Sequence, residues 1–301
     1  MGGADPLAAG SATPPPDDID RIERALGWRP ASFRSAVADR GVSATAARWI
    51  VRGPGGSAFV KIGSTELTAD WVRVEYRNYE SIAGWFMPSL AGFSDDGMRP
   101  VLALEDLSAA IWPPPWTDAR VAGVREAFEG IGATHPPAHL TRLDVRTEAA
   151  DWEVVGADPG EFLSLGLASA AWLADALPVL SEAAARAPLA GDALVHLDIR
   201  GDNVCFRDDR ALVIDWNHAA IANPDYDIAF WLPSLTAEGG PLPESILPDA
   251  PELAAWVAGF FCARAGGPPI PEAPHVRPLQ LAQARTALPW AARALGLPVP
   301  A

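Results

Sequence analysis

The sequence predicts an α+β chain in two parts, a strand-rich N-terminal portion and a mostly helical remainder. Three observations predict it. Extended segments crowd into residues 33–62, where Ala58, Val60 and Ile62 alternate with Phe59 and Lys61 at the period of a half-buried strand. Further along, apolar residues return at helical spacing, as Val121, Val124, Phe128 and Ile131 do. Late in the chain, Leu194–Val195, Val204–Phe206 and Ala211–Ile214 surround a polar loop and an Asp-Asp-Arg turn. That pattern reads as a strand, a loop and a hairpin ending on Asp215.

Taken in order, residues 1–16 are Gly, Ala, Ser and Pro with hardly a large side chain, the composition of a disordered tail. Asp17 or Asp18 is expected to cap a helix through Ile19, Ile22 and Leu26, stopped by Gly27. Extended segments follow at 33–38, 45–52 and 57–62. Gly53-Pro-Gly-Gly56 is a hairpin turn, because Gly and Pro in a short gap between strands reverse the chain. A helix is expected over 68–85, carrying Glu75 and Glu80, then a strand over 100–107. The proline-rich run 109–115 marks a boundary or surface loop before a core-facing helix over 119–134.

His135 and His139 are four apart, but Pro136-Pro137 prevents the helical turn that would align them on a metal. Residues 143–160 show no firm element. Helices are expected over 161–177 and 179–186, separated or kinked at Pro178. Two more, over 253–265 and 278–295, carry Trp256 and Trp290 as core residues.

Composition narrows the function. At 301 residues and 49% hydrophobic content the chain can bury two lobes or one large domain. The net charge of −15 argues against nucleic acid, whose phosphates need Lys and Arg in excess. Acidity suits a cationic small molecule and equally serves solubility. The apolar run Leu253–Ala263 is eleven residues, too short to cross a bilayer, and no secretion signal opens the chain. A cytoplasmic protein with two reduced, unpatterned cysteines, Cys205 and Cys262, is expected.

Of the 23 Lys and Arg residues only Lys61 is Lys. A lone Lys in such a chain suggests a site that wants a compact ammonium, or chance survival. It also excludes a Walker P-loop, which needs Gly before the Lys where Val60 stands.

His196-x-Asp198-x-x-x-x-Asn203 followed by Ile214-Asp215-Trp216 resembles the catalytic loop and metal-binding aspartate of the kinase fold. Leu197 stands where protein kinases carry Arg, and Trp216-Asn217 replaces Phe-Gly. Asp227 follows twelve positions after Asp215, too few for a regulated activation segment. The run from Asp215 to Ala229 is similar to the aminoglycoside phosphotransferase and choline kinase-like family, which phosphorylates small molecules.

The resemblance implies a two-lobed protein kinase-like fold, with a small antiparallel β-sheet N-lobe and a mostly helical C-lobe. It divides the chain into the tail (1–16), a nucleotide-binding N-lobe (17–104), a hinge (105–110) and a C-lobe with catalytic loop and acceptor site (111–301). It also implies roles. Asp198 orients or accepts the hydroxyl proton, Asn203 and Asp215 hold Mg²⁺, and Lys61, steadied by Glu75 rather than Glu80, pairs with the α- and β-phosphates of ATP. Ser43, in the turn 39–43, supplies a hydroxyl to the phosphates. The Glu105 carbonyl and Leu107 amide receive adenine beside Leu104. Asp227 holds the catalytic loop, and His196 braces it without titrating.

The expected activity is phosphorylation of a small-molecule hydroxyl. An aminoglycoside-type antibiotic, with resistance as the role, stands beside amino-sugar, sugar and amino-alcohol acceptors. The family often grips substrate amines with acids near the C-terminus, and residues 275–301 carry none. A nucleotide-binding pseudokinase that regulates a partner is the reading from another class.

Overall fold

The computed structural model describes residues 13–36, 46–143, 151–270 and 273–300. Its N-lobe is a five-stranded antiparallel sheet in the order β1-β2-β3-β5-β4, formed by Ser32–Ser35 (β1), Ala47–Gly53 (β2), Gly56–Ile62 (β3), Leu90–Ser94 (β4) and Val101–Glu105 (β5). Two helices attend it, Pro16–Leu26 (α1) and Glu66–Ser81 (α2). The C-lobe holds helices Asp118–Gly132 (α3), Asp151–Ala157 (α4), Gly160–Ser164 (α5), Ala170–Ala184 (α6), Asp225–Ala237 (α7), Pro251–Ala265 (α8) and Val276–Ala294 (α9). Two short antiparallel pairs complete it. Ala193–Val195 (β6) pairs with Ala220–Ala222 (β9), and Val204–Arg207 (β7) with Arg210–Val213 (β8).

The two faces of the N-lobe sheet have different partners. Trp49, Val51, Ala58, Val60, Ile62, Val101 and Ala103 pack on Ile22 and Ala25 of α1, forming a small core of their own. The alternate residues face the other way, and Leu102, Leu104 and Phe59 join the large core shared with the helical lobe. The sheet therefore presents one face to its covering helix and the other to the cleft between lobes.

Four local expectations are corrected. The first helix starts at Pro16, so Asp17 and Asp18 lie in its first turn and neither caps it. Asp18 is buried instead, paired with Arg21 at 3.3 Å and Arg99 at 3.1 Å. β4 was not expected: it is a half-exposed edge strand without alternation, and its Gly92 lets the backbone of Ala25 approach.

α6 runs unbroken through Pro178 because that position faces solvent, where water can satisfy the carbonyl of exposed Ala174. The break lies earlier, around Gly166 with φ 66°. Finally, α4 forms within the stretch that showed no firm element, anchored by buried Trp152 and Val155. The helices carrying Trp256 and Trp290 bury both rings as expected. No helix among the described residues is long and apolar enough to cross a membrane.

Candidate active site

The site forms where three elements converge on the cleft. Lys61 sits on β3, the strand flanked by β2 and β5, and is only 7% exposed. α2 delivers Glu75, 1% exposed, after a capping box in which Thr65 and Thr68 satisfy each other's backbone N–H groups. Lys61 Nζ donates to Glu75 Oε1 at 2.7 Å, to Oε2 at 2.8 Å, and to Asp215 Oδ1 at 3.1 Å. Glu80 lies on the exposed side, accepting from the Tyr76 hydroxyl at 2.6 Å.

Asp215 follows β8, with φ 68° in the left-handed region, a strained setting for a residue with a side chain. The β7–β8 hairpin places it: Asp208 and Asp209, both at positive φ, make its turn, and Ile214 N donates to Asn203 O at 3.0 Å. Asn203 and the end of the hairpin are thus neighbours, as the strand pattern predicts.

Burial opposes the Asp215 charge, but Lys61 and then Arg48 outweigh it and hold the carboxyl well below the usual carboxylate range. Lys61 is pushed up: burial works against its charge, and Asp215 and Glu75 overcome that.

The loop over residues 196–203 is fixed from several directions. Asn203 Nδ2 donates to Asp198 O at 2.8 Å and to Asp198 Oδ2 at 2.9 Å. Arg200 donates to Asp198 Oδ1 at 2.6 Å and, through Nε, to Asp202 Oδ1 at 2.6 Å. Burial pushes the Asp198 carboxyl up to about 6, with Arg200 acting in the opposite sense.

From α7, Asp227 accepts the N–H groups of His196 and Leu197, each at 2.7 Å. This bond pair absorbs Leu197, whose φ is 66°. The His196 ring receives the Asp198 N–H on Nδ1 at 3.2 Å, so Nε2 carries the hydrogen and donates to Ile214 O at 3.0 Å. Burial lowers its pKa to about 3, which keeps the ring neutral.

Of the residues expected to form a hinge, Glu105 pairs with Ala58 in the sheet, and its side chain accepts from Ser89 N at 3.1 Å and from Arg207. The Leu107 N–H donates to no described residue, while its carbonyl accepts from Ala110 at 3.0 Å. Leu104 is buried on the cleft side. Ser43 lies outside the described residues.

Several site residues escaped the sequence reading. Arg200 is one of them: it is buried and tied to the loop aspartates. Asn78, one turn after Glu75, donates to Trp216 O at 2.6 Å and meets His139 Nε2 at 2.9 Å. That link ties α2 to the segment following Asp215, and it gives His139 a partner other than His135. Asn217 Nδ2 donates to Asp215 Oδ1 at 2.6 Å. No local pattern marks these residues, because each partner lies on a different element or beside a loop whose conformation is set elsewhere.

The donor set fits a magnesium ion. Asp215 Oδ2 and Asn203 Oδ1 accept no hydrogen bond from described residues, which leaves a hard oxygen on each. Among the described residues no group of three or more His, Cys, Asp or Glu side chains is arranged to hold a metal ion by itself. Magnesium bound through a pair of protein oxygens plus phosphate and water needs none.

Residues 119–264 match the model of the family described as the phosphotransferase enzyme family, APH. The fold is shared with a thermostable mutant of aminoglycoside phosphotransferase APH(4)-Ia in ternary complex with ADP and hygromycin B, at TM-score 0.60 and 16% identity over 92% of this chain and 98% of that one. It is shared too with a choline/ethanolamine kinase family protein from Mesorhizobium loti, at TM-score 0.56 and 16% identity over 93% and 98%. No curated protein matches the chain in sequence. The two-lobed kinase-like fold is therefore established, and the family resemblance read from the motifs is borne out. Family match and kinase neighbours together support a small-molecule kinase.

Proposed function

We propose that this chain transfers the γ-phosphoryl group of ATP to a hydroxyl of a small molecule, either an aminoglycoside-type antibiotic or an amino sugar, sugar or amino alcohol. One observation carries the reading: a buried ammonium from the sheet, a helix glutamate and the post-hairpin aspartate meet within hydrogen-bond distance across the cleft. Phosphoryl transfer asks a protein mainly to align reactants and neutralise charge, and this cluster is built for both.

Lys61 places its charge against the nucleotide phosphates, with Glu75 fixing the ammonium from behind. Asn203 and Asp215 would hold magnesium, which when bound neutralises charge on the β- and γ-phosphates. Asp198 takes up the acceptor's hydroxyl proton or orients it, with its carboxylate pinned by Arg200 and Asn203. The Leu107 N–H and Glu105 carbonyl receive the base.

A cationic acceptor suits the net charge of −15. Carboxylates also stand beside the loop: Asp202, and Glu238, which accepts from Trp116 Nε1 at 2.9 Å. The two cysteines, free and buried, suit a reduced, cytoplasmic setting.

The test is turnover of Mg-ATP with a panel of aminoglycosides, amino sugars and choline-like alcohols. At least one acceptor is phosphorylated, and Asp198→Asn abolishes turnover while nucleotide still binds. Binding without turnover on any acceptor overturns the enzyme reading in favour of a nucleotide-dependent regulator. A chain that binds no nucleotide overturns both.

A further inference from the structure

Lys61 has three N–H donors, and the structure engages it three times, twice by Glu75 and once by Asp215. It can supply charge to a nucleotide but has few donors to spare for phosphate oxygens. Another cation stands next to it. β2 pairs with β3 so that Arg48 lies directly opposite Lys61, and residues paired in that way share a face. Their strand neighbours Trp49 and Val60 occupy the opposite face, under α1. Arg48 therefore belongs to the cleft side of the sheet.

Like charges directly opposite on adjacent strands repel, so the pair is costly unless anions gather there. Glu75 and Asp215 supply two carboxylates, and Arg48 acts electrostatically on both of them as well as on Lys61. The two other arginines on this face serve the hinge side. Arg34 donates to Ser108 Oγ at 3.0 Å, and Arg52 acts on Asp106. Arg48 is the one placed at the Lys61 end.

Resting on the phosphotransferase reading of this cleft, we propose that Arg48 is a second nucleotide-phosphate ligand. Its guanidinium supplies directed hydrogen bonds to the phosphate oxygens, while the engaged ammonium of Lys61 supplies fixed charge. A guanidinium fork matches phosphate oxygens two at a time, which an ammonium does not. Division of labour between the two cations explains why Lys61 can be held so tightly by carboxylates and still serve a triphosphate site.

The experiment measures affinity of the whole chain for ATP, ADP, AMP and adenosine with Arg48→Ala, Arg48→Gln and Arg48→Lys, by calorimetry and without acceptor. Arg48→Ala and Arg48→Gln weaken ATP and ADP by roughly tenfold or more while adenosine is unchanged, and Arg48→Lys recovers part of the loss. Equal ATP affinity in wild type and Arg48→Ala overturns the inference and leaves the phosphotransferase reading standing. A loss shared equally by adenosine overturns it too, by showing a purely structural role. Failure of the wild type to bind any nucleotide removes the underlying reading itself, a result distinct from the other two.

Discussion

Lys61 Nζ and Asp215 Oδ1 stand 3.1 Å apart although 154 positions separate them in the chain. The contact crosses from the sheet to the helical lobe, and Glu75 takes both remaining directions of the ammonium. Lys61→Ala should lower kcat/KM for ATP by about two orders of magnitude. It should also lower stability by roughly 3 kcal/mol, because buried Glu75 loses its ion partner. Steady-state kinetics and thermal melting of the same preparation check both. Lys61→Arg should rescue neither, since the planar fork does not fill a point-charge site.

Arg200 joins Asp198 and Asp202 without reaching any other described acidic residue. With the guanidinium removed, Asp198 keeps only its bond from Asn203 and samples more rotamers. Arg200→Gln is expected to reduce kcat on the order of tenfold to a hundredfold, with the KM for ATP within about twofold of wild type. A parallel rise in ATP KM would show instead that Arg200 binds nucleotide.

Asp227 accepts the backbone N–H groups of His196 and Leu197 at 2.7 Å. Asp227→Asn keeps one acceptor and turns an amide N–H toward a backbone donor. A loss of about 2 kcal/mol is expected, read as a lower denaturant midpoint, together with reduced kcat.

His196 provides the pH test. Its folded pKa, near 3, lies below the ordinary value of 6.5, so the folded state binds fewer protons than the unfolded one. The stability this ring contributes is complete above pH 6.5 and is lost as pH falls toward 3. Other buried groups titrate in the same range, so the informative quantity is the stability gap between wild type and His196→Gln. That gap should narrow by about 1 kcal/mol on going from roughly pH 7.5 to 5.5. A gap that stays constant or widens would show that the ring is not neutral in the fold.

Gly92 lies where the backbone of α1 crosses the edge strand, and a Cβ there would strike the carbonyl of Ala25. Gly92→Ala should lower the melting temperature by an amount equivalent to roughly 1–3 kcal/mol. Nucleotide affinity should follow only to the extent that the sheet shifts.

The sequence by itself determined the parts whose signal is local. Asp198, Asn203 and Asp215 are polar residues at fixed spacing between apolar strands, and the hairpin joining the last two is spelled by its turn. Lys61 announced itself by being the chain's one Lys on an alternating strand, and Glu75 by helical position. Tertiary structure alone decided which distant groups meet.

Arg48 is thirteen positions from Lys61, and only the β2–β3 register sets them side by side. The His139–Asn78–Trp216 chain exists only because two lobes close on each other. Pro178 sits in an intact helix because its face happens to be wet, and β4 forms because a sheet edge and α1 offer it a place. Local spacing limits what each segment can do. Register, burial and lobe closure are cooperative properties of the packed chain, and no window of residues contains them.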